Sequence, residues 1–191
     1  METINIIMLG YYSGKTCFML RYFYSEFREC DQSTSSFDFK EKIIETFNGK
    51  IVILKLWDTG GNESCKGING CLIKSADGII LMYNIGIKES FDDIFYWIKE
   101  VREKKNMVPV IIIGNMCDCK ERRIISRNEG EELAKKYDYH FYESSNKLGI
   151  NIEEPINDLI GQILKKREED KISINNKKKK KNFIQKFSVN I

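Results

Sequence analysis

Ile4-Asn5-Ile6-Ile7-Met8-Leu9 runs directly into Gly10-Tyr11-Tyr12-Ser13-Gly14-Lys15-Thr16. The first six residues are a short apolar run closed by glycine, which reads as a buried strand. From Lys15 to Phe27 the apolar residues fall at helical spacing. A glycine-bounded turn between a strand and a helix is the context in which backbone N–H groups and a helix N-terminus bind phosphate. In that context Lys15 neutralises charge on the β and γ phosphates, and the Thr16 hydroxyl binds Mg²⁺. The usual spacing is G-x4-G-K-[ST]. Here only three residues separate Gly10 from Gly14, and the bulky Tyr11 and Tyr12 stand in the loop.

Outward from this stretch, strand and helix patterns alternate. Residues 37–47 and 51–57 flank Asn48-Gly49, a strong hairpin signal. Gly78 to Asn84 reads as a buried strand. Ser90 to Lys105 follows as an amphipathic helix with Ser90 as its N-cap. Val108 to Gly114 is the most apolar strand. Ser126 to Tyr137 opens with Ser and has Glu129 three residues on, a capping-box pattern. Tyr139 to Glu143 is a last short strand, and Ile152 to Lys166 a last helix. One hairpin followed by repeated strand–helix units implies an α/β domain. Its sheet is six-stranded and mostly parallel, with one antiparallel strand and helices on both faces.

The chain has 191 residues, of which 42% are apolar and 31% charged. That suits one globular domain, residues 1–169, and a Lys-rich flexible tail, residues 170–191. The net charge of +3 owes much to Lys177, Lys178, Lys179, Lys180 and Lys181. The body without them is near neutral, so it does not read as a nucleic-acid binder. The six cysteines include no CxxC pair, and His140 lies far from them in sequence. Zinc is therefore not expected, and the thiols read as reduced and cytosolic. Ile4 to Leu9 lacks the basic flank of a signal peptide, and no apolar run approaches the roughly 20 residues that span a bilayer.

Three further motifs stand at strand ends. Trp57-Asp58-Thr59-Gly60-Gly61-Asn62-Glu63 puts a carboxylate where it reaches Mg²⁺ through water, and Gly61 can offer its N–H to a γ-phosphate. Ile113-Gly114-Asn115-Met116-Cys117-Asp118 ends the apolar strand. A carboxylate there accepts both N1–H and the exocyclic amine of guanine, a donor pair that adenine lacks, so Asp118 would select the base. Asn115 would tie this loop to the phosphate loop. In Glu143-Ser144-Ser145-Asn146-Lys147 the Asn146 backbone N–H can donate to guanine O6. Four such motifs, in this order and at the C-terminal ends of parallel strands, lie where open α/β sheets bind ligands.

With these residues in view, the chain resembles a small GTPase of the Ras superfamily, and within it most closely a Rab. Residues 55–63 resemble the Rab segment KLQIWDTAGQE, and residues 33–39 resemble STIGVDF. Residues 114–118 resemble GNKxD, and residues 143–147 resemble ETSAK. The likeness covers about residues 4–168. It implies a P-loop NTPase fold (a G-domain) that holds GTP or GDP with Mg²⁺. By it, Thr34 joins Thr16 and Asp58 around the metal, and Thr34, Gly61 and Asn62 surround the reacting phosphate. Ser13, Gly14, Lys15, Thr16, Cys17, Phe27, Asn115, Met116, Asp118, Ser145, Asn146 and Lys147 contact the nucleotide. Phe39, Trp57 and Leu72 fall on the surface where effectors bind, and an exchange factor works on the switch regions. A monomer in membrane traffic is implied, cytoplasmic or peripheral at endomembranes.

The departures from the family pattern set further expectations. Asn62 stands in place of a water-positioning glutamine and is one methylene shorter, so GTP hydrolysis should be slow or absent. Tyr11 lies where an activator's arginine would need room. Met116 replaces a lysine and packs on the base without holding its loop electrostatically. No cysteine follows Cys119, so prenylation is not expected, and Lys177–Lys181 offers weak contact with an anionic membrane. The alternative reading is a pseudo-GTPase scaffold that works by protein contact. A nucleotide kinase would need further arginines around a second substrate, and the only close pair is Arg122-Arg123. His140 reads as structural.

Overall fold

A computed structural model describes residues 1–27, 37–60 and 66–188. Thr34, Gly61 and Asn62 lie outside the described residues. The chain order is β1 (Glu2–Leu9), α1 (Lys15–Tyr24), β2 (Asp38–Glu45), β3 (Ile51–Asp58), α2 (Lys66–Ser75), β4 (Gly78–Asn84), α3 (Lys88–Lys104), β5 (Val110–Asn115), a 3₁₀ turn (Lys120–Arg122), α4 (Arg127–Tyr137), β6 (His140–Ser144) and α5 (Glu154–Ser188). The six strands lie in the order β2-β3-β1-β4-β5-β6. β2 pairs antiparallel with β3, and the other pairings are parallel.

The central strands are apolar on both faces because helices cover both. Ile4, Ile6 and Met8 of β1 pack with Phe18 of α1 and Leu159 and Ile163 of α5. The intervening Ile7 and Leu9 pack with Ile73 of α2, Ile94 and Trp97 of α3 and Leu133 of α4. The period of two along β1 thus divides its side chains between two cores. β4 and β5 are buried along their whole length.

Three details differ from the sequence reading. α1 stops at Tyr24, because Ser25 turns left-handed (φ 56°) and donates its N–H to Arg21 O. In the β2–β3 hairpin the turn closes one residue earlier than Asn48-Gly49 would close it. Gly49 N–H bonds Thr46 O at 2.8 Å, and Gly49 (φ 75°) then absorbs the left-handed step. The last helix runs on through Ser188, because the Lys-, Asn- and Gln-containing stretch after Lys166 has no Gly or Pro to stop it. Among the described residues no helix is long and apolar enough to cross a membrane.

The capping box at α4 forms as its spacing requires. Ser126 Oγ accepts the Glu129 N–H at 3.2 Å, and Glu129 Oε2 accepts the Ser126 N–H at 2.8 Å. The Ser126 hydroxyl and N–H hold the Glu129 carboxyl below the usual carboxylate range. A group depressed in the folded state stabilises above its unfolded pKa, about 4.3 for Glu, and loses that effect as pH falls through the folded value. Ser126→Ala should therefore lower the urea midpoint clearly at pH 7 and much less below the depressed pKa; equal losses at both pH values would refute the coupling.

Candidate nucleotide site

The C-terminal ends of β1, β3, β5 and β6 meet around the Gly10–Gly14 loop. Two of its glycines are required by space. At Gly10 (φ 142°) an added Cβ would lie 1.9 Å from Met82 O, and at Gly14 (φ 76°) it would lie 2.8 Å from Asn115 Nδ2. Tyr12 is also left-handed (φ 43°) and exposed, and its ring meets the Tyr11 ring edge-on at 4.4 Å.

Four of the loop's carbonyls are held by side chains. Lys15 Nζ donates to Gly10 O at 2.5 Å, and Ser90 Oγ donates to Tyr11 O at 2.6 Å. Asn115 Nδ2 donates to Ser13 O at 2.9 Å, and Asn146 Nδ2 donates to Gly14 O at 3.0 Å. Carbonyls occupied in this way leave the backbone N–H groups and the α1 N-terminus to face an anion. Ser90 was expected to cap α3. Instead α3 starts two residues earlier, and the buried Ser90 hydroxyl also accepts the Asn84 N–H at 2.9 Å, joining β4 to the loop.

Beside the loop, Thr16 Oγ1 donates to Asp58 Oδ2 at 2.5 Å. Asp58 is 1% exposed, and its other oxygen, Oδ1, is buried without a partner among the described residues. Burial pushes the Asp58 carboxyl up, against the Thr16 hydrogen bond and the Lys15 charge, which pull it down. Burial likewise pushes the Lys15 ammonium down, against the Asp58 charge. A buried carboxylate with one free oxygen next to a threonine hydroxyl matches the oxygen ligands that Mg²⁺ takes, directly or through water. Thr59, next in the chain, fixes this strand end through Oγ1 to Met8 O at 2.7 Å.

The base side is built from the loops after β5 and β6. Ser144 Oγ donates to Asn115 Oδ1 at 3.0 Å, and Cys117 N–H donates to Ser144 O at 3.0 Å. Met116 is left-handed (φ 67°), and Asn84 Nδ2 lies 3.0 Å from its sulfur. Asp118 is half-buried, and Lys147 is exposed. Arg123 forms two bonds to Glu143, at 2.5 and 3.1 Å, and so ties the two loops together. Ser145 pairs with Ile150 across the closing turn. Burial and the neighbouring Asp118 push the Cys117 and Cys119 thiols up, so neither is an activated nucleophile. Phe27 stands just past α1, 36% exposed. Among the described residues no cluster of three His, Cys, Asp or Glu side chains could hold a metal by itself. His140 bonds Asp158 at 2.6 Å, away from the loop.

Phe39 and Trp57 lie directly opposite each other on β2 and β3, with ring centroids 4.7 Å apart. Trp57 and Leu72 are both half-buried and pack against the α2–α4 core, which leaves Phe39 as the exposed member of the trio.

A family model described as "Ras family" matches residues 5–165. The chain belongs to the Ras family. It is 36% identical over 154 residues to "Ras-related protein Rab-13" of Rattus norvegicus, covering 80% of this chain and 75% of that one. It is 38% identical over 154 residues to "Ras-related protein Rab-10" of Caenorhabditis elegans, covering 80% and 76%. It is 39% identical over 141 residues to "Ras-related protein Rab-8A" of Bos taurus, covering 73% and 68%. It is thus a Rab-like small GTPase of the Ras superfamily, with the six-stranded G-domain expected of one.

Sequence reasoning missed two side chains in this Rab-like site, Ser90 and the amide of Asn146. Asn146 carried a signal, since the ETSAK pattern has a small alanine there. Asn115 is fully buried and holds both Ser13 O and Ser144 Oγ. Asn115→Ala should lower the unfolding free energy by about 1–3 kcal/mol, the cost of leaving buried partners unmade. Urea denaturation measures this, and an unchanged midpoint would show that Asn115 does not hold the loop.

Proposed function

We propose that this chain is a guanine-nucleotide switch of membrane traffic that binds GTP or GDP with Mg²⁺ and hydrolyses GTP slowly. The observation that carries the reading is the Thr16–Asp58 hydrogen bond at 2.5 Å beside the unpartnered, buried Asp58 Oδ1. A buried acceptor left unmade is costly, and a hydrated divalent cation satisfies it.

In this reading Thr16 and Asp58 hold the Mg²⁺, joined by Thr34. When bound, Mg²⁺ would neutralise charge on the phosphate oxygens. Lys15 places its ammonium against the phosphates while Gly10 O fixes its head. The loop N–H groups and the α1 N-terminus bind the phosphate oxygens. Asp118 reads the guanine edge, the Asn146 N–H faces O6, and Met116, Phe27 and Lys147 pack around the base. Ser13, Cys17 and Ser145 line the same pocket. Thr34 and Gly61 sense the γ-phosphate, and an effector reads their state together with Phe39, Trp57 and Leu72. Residues 1–169 are the switch. Residues 170–191 are a Lys-rich tail whose Lys177–Lys181 adds weak attraction to an anionic membrane, about 1 kcal/mol per residue near the surface.

Slow hydrolysis follows from Asn62, whose side chain is one methylene shorter than the glutamine that orients water. A second reading, a pseudo-GTPase scaffold, nucleotide-loaded or empty, that works by protein contact, draws on the left-handed Tyr12 in a loop one residue short of the usual spacing.

Two measurements decide between these. Denatured protein should release guanine nucleotide, and chelating Mg²⁺ should speed its exchange. Protein that carries none and binds neither GTP nor GDP would overturn the switch. Asn62→Gln should then raise single-turnover GTP hydrolysis by on the order of 10–100-fold, since a catalytic group misplaced by about an ångström costs that much. No increase, with hydrolysis at the rate of free GTP, would favour the scaffold.

A further inference from the structure

Gly14 O accepts two hydrogen bonds, from Phe18 N–H within α1 at 3.0 Å and from Asn146 Nδ2 at 3.0 Å. The second crosses 132 residues of chain. Asn146 is 4% exposed, and its side-chain oxygen Oδ1 is buried without a partner among the described residues. The two flanking asparagines grip consecutive carbonyls of the phosphate loop, Asn115 on Ser13 O and Asn146 on Gly14 O. Both amide nitrogens crowd Gly14, at 2.8 and 3.3 Å from where a Cβ would stand. No side chain could be added at residue 14 without displacing them.

We infer that Asn146 is a positioning residue whose side-chain amide bolts the base-reading loop onto the phosphate loop, so that nucleotide release requires breaking this bond. The inference rests on the nucleotide-switch reading for the role of its backbone N–H, but the bolt itself is a property of the protein. Asn146 sits on the loop whose backbone faces the base, and Gly14 is the residue from which α1 springs. A ligand that pushes on one loop therefore pulls on the other. The loop at Gly10–Gly14 has one residue fewer than usual with which to wrap a phosphate, and an added tie at Gly14 O limits how far it can open. The unpaired Oδ1 bears on the bound state instead. A buried acceptor beside the nucleotide pocket favours any state in which a ligand donor or a water reaches it.

The test compares Asn146→Ala and the near-isosteric Asn146→Leu with the parent. Leucine keeps the branched shape but has no hydrogen to give Gly14 O. The first readout is dissociation of fluorescent GDP from loaded protein, chased with unlabelled GDP. Both variants should release it about tenfold faster, the scale of one lost buried hydrogen bond. The second readout needs no nucleotide. Amide hydrogen exchange over residues 10–17 in the protein as purified should speed up in both variants, while exchange in the β4–β5 core stays as in the parent. Faster release in the alanine variant alone would assign the effect to packing and overturn the bolt. Unchanged release and unchanged exchange in both would overturn it outright. If the parent holds no guanine nucleotide, the switch reading fails, and the exchange experiment still decides whether the bolt exists.

Discussion

Asp58 is a carboxylate at 1% exposure, and the rest of the site is arranged around its charge. An isolated buried carboxylate is strongly disfavoured. This one is offset by the Lys15 ammonium and by the Thr16 hydroxyl at 2.5 Å, adjacent residues at the first turn of α1. Lys15 is itself buried and would be strongly disfavoured without Asp58. The pair therefore fixes α1 against the end of β3. That in turn fixes the loop that must connect β1 to α1, because its last residue, Gly14, is the N-cap of α1.

The sheet order makes this arrangement available. β1 lies between β3 and β4, so the chain leaves β1, crosses to one side for the β2–β3 hairpin and returns to the other for β4. Loops from the two sides diverge at the end of β1 and leave a crevice there, the usual ligand position in open α/β sheets. The phosphate loop fills the floor of that crevice. Its neighbours on every side reach it or the first turn of α1 that follows it: Asp58 from β3 at Thr16, and, at the loop itself, Ser90 from the start of α3 after β4, Asn115 at the end of β5 and Asn146 just past β6. Each of those residues sits within a few positions of a strand end, so backbone pairing in the sheet sets where the side chains can stand.

Much of this could be read from the sequence where a residue's role depends on its near neighbours. The strand–loop–helix around Gly10–Gly14, the Ser126/Glu129 capping box and the apolar β4 and β5 are local patterns, and each formed, with α1 ending early at Tyr24 and β5 shifted to Val110–Asn115. What could not be read depends on partners far along the chain. Ser90 has the composition of a helix cap. Its hydroxyl serves Tyr11 O, 79 residues away, because α3 begins early enough to point it inward. The Asn146 amide bonds Gly14 for the same kind of reason. Asn48-Gly49 marks the hairpin but not where its turn closes, since Asn-Gly suits both a two-residue turn and a turn closed by a left-handed glycine. The length of α5 escaped a reading based on periodicity. From Lys165 to Ile174 the helix buries little apolar surface, and the absence of helix breakers carries it on.

The short loop gains a physical explanation from these ties. A free loop of five residues would take its shape from its own dihedral preferences, and Tyr12 in the left-handed region argues that this loop does not. Its shape is imposed from outside, one carbonyl at a time, by Lys15, Ser90, Asn115 and Asn146. Loop length then matters less than whether each carbonyl finds its donor. Deleting a residue removes one N–H from the loop but leaves the held carbonyls in place. By the same logic the bulky Tyr11 and Tyr12 are tolerated. Their backbone is held by the frame, and the Tyr12 ring stands outside it, more than half exposed to solvent.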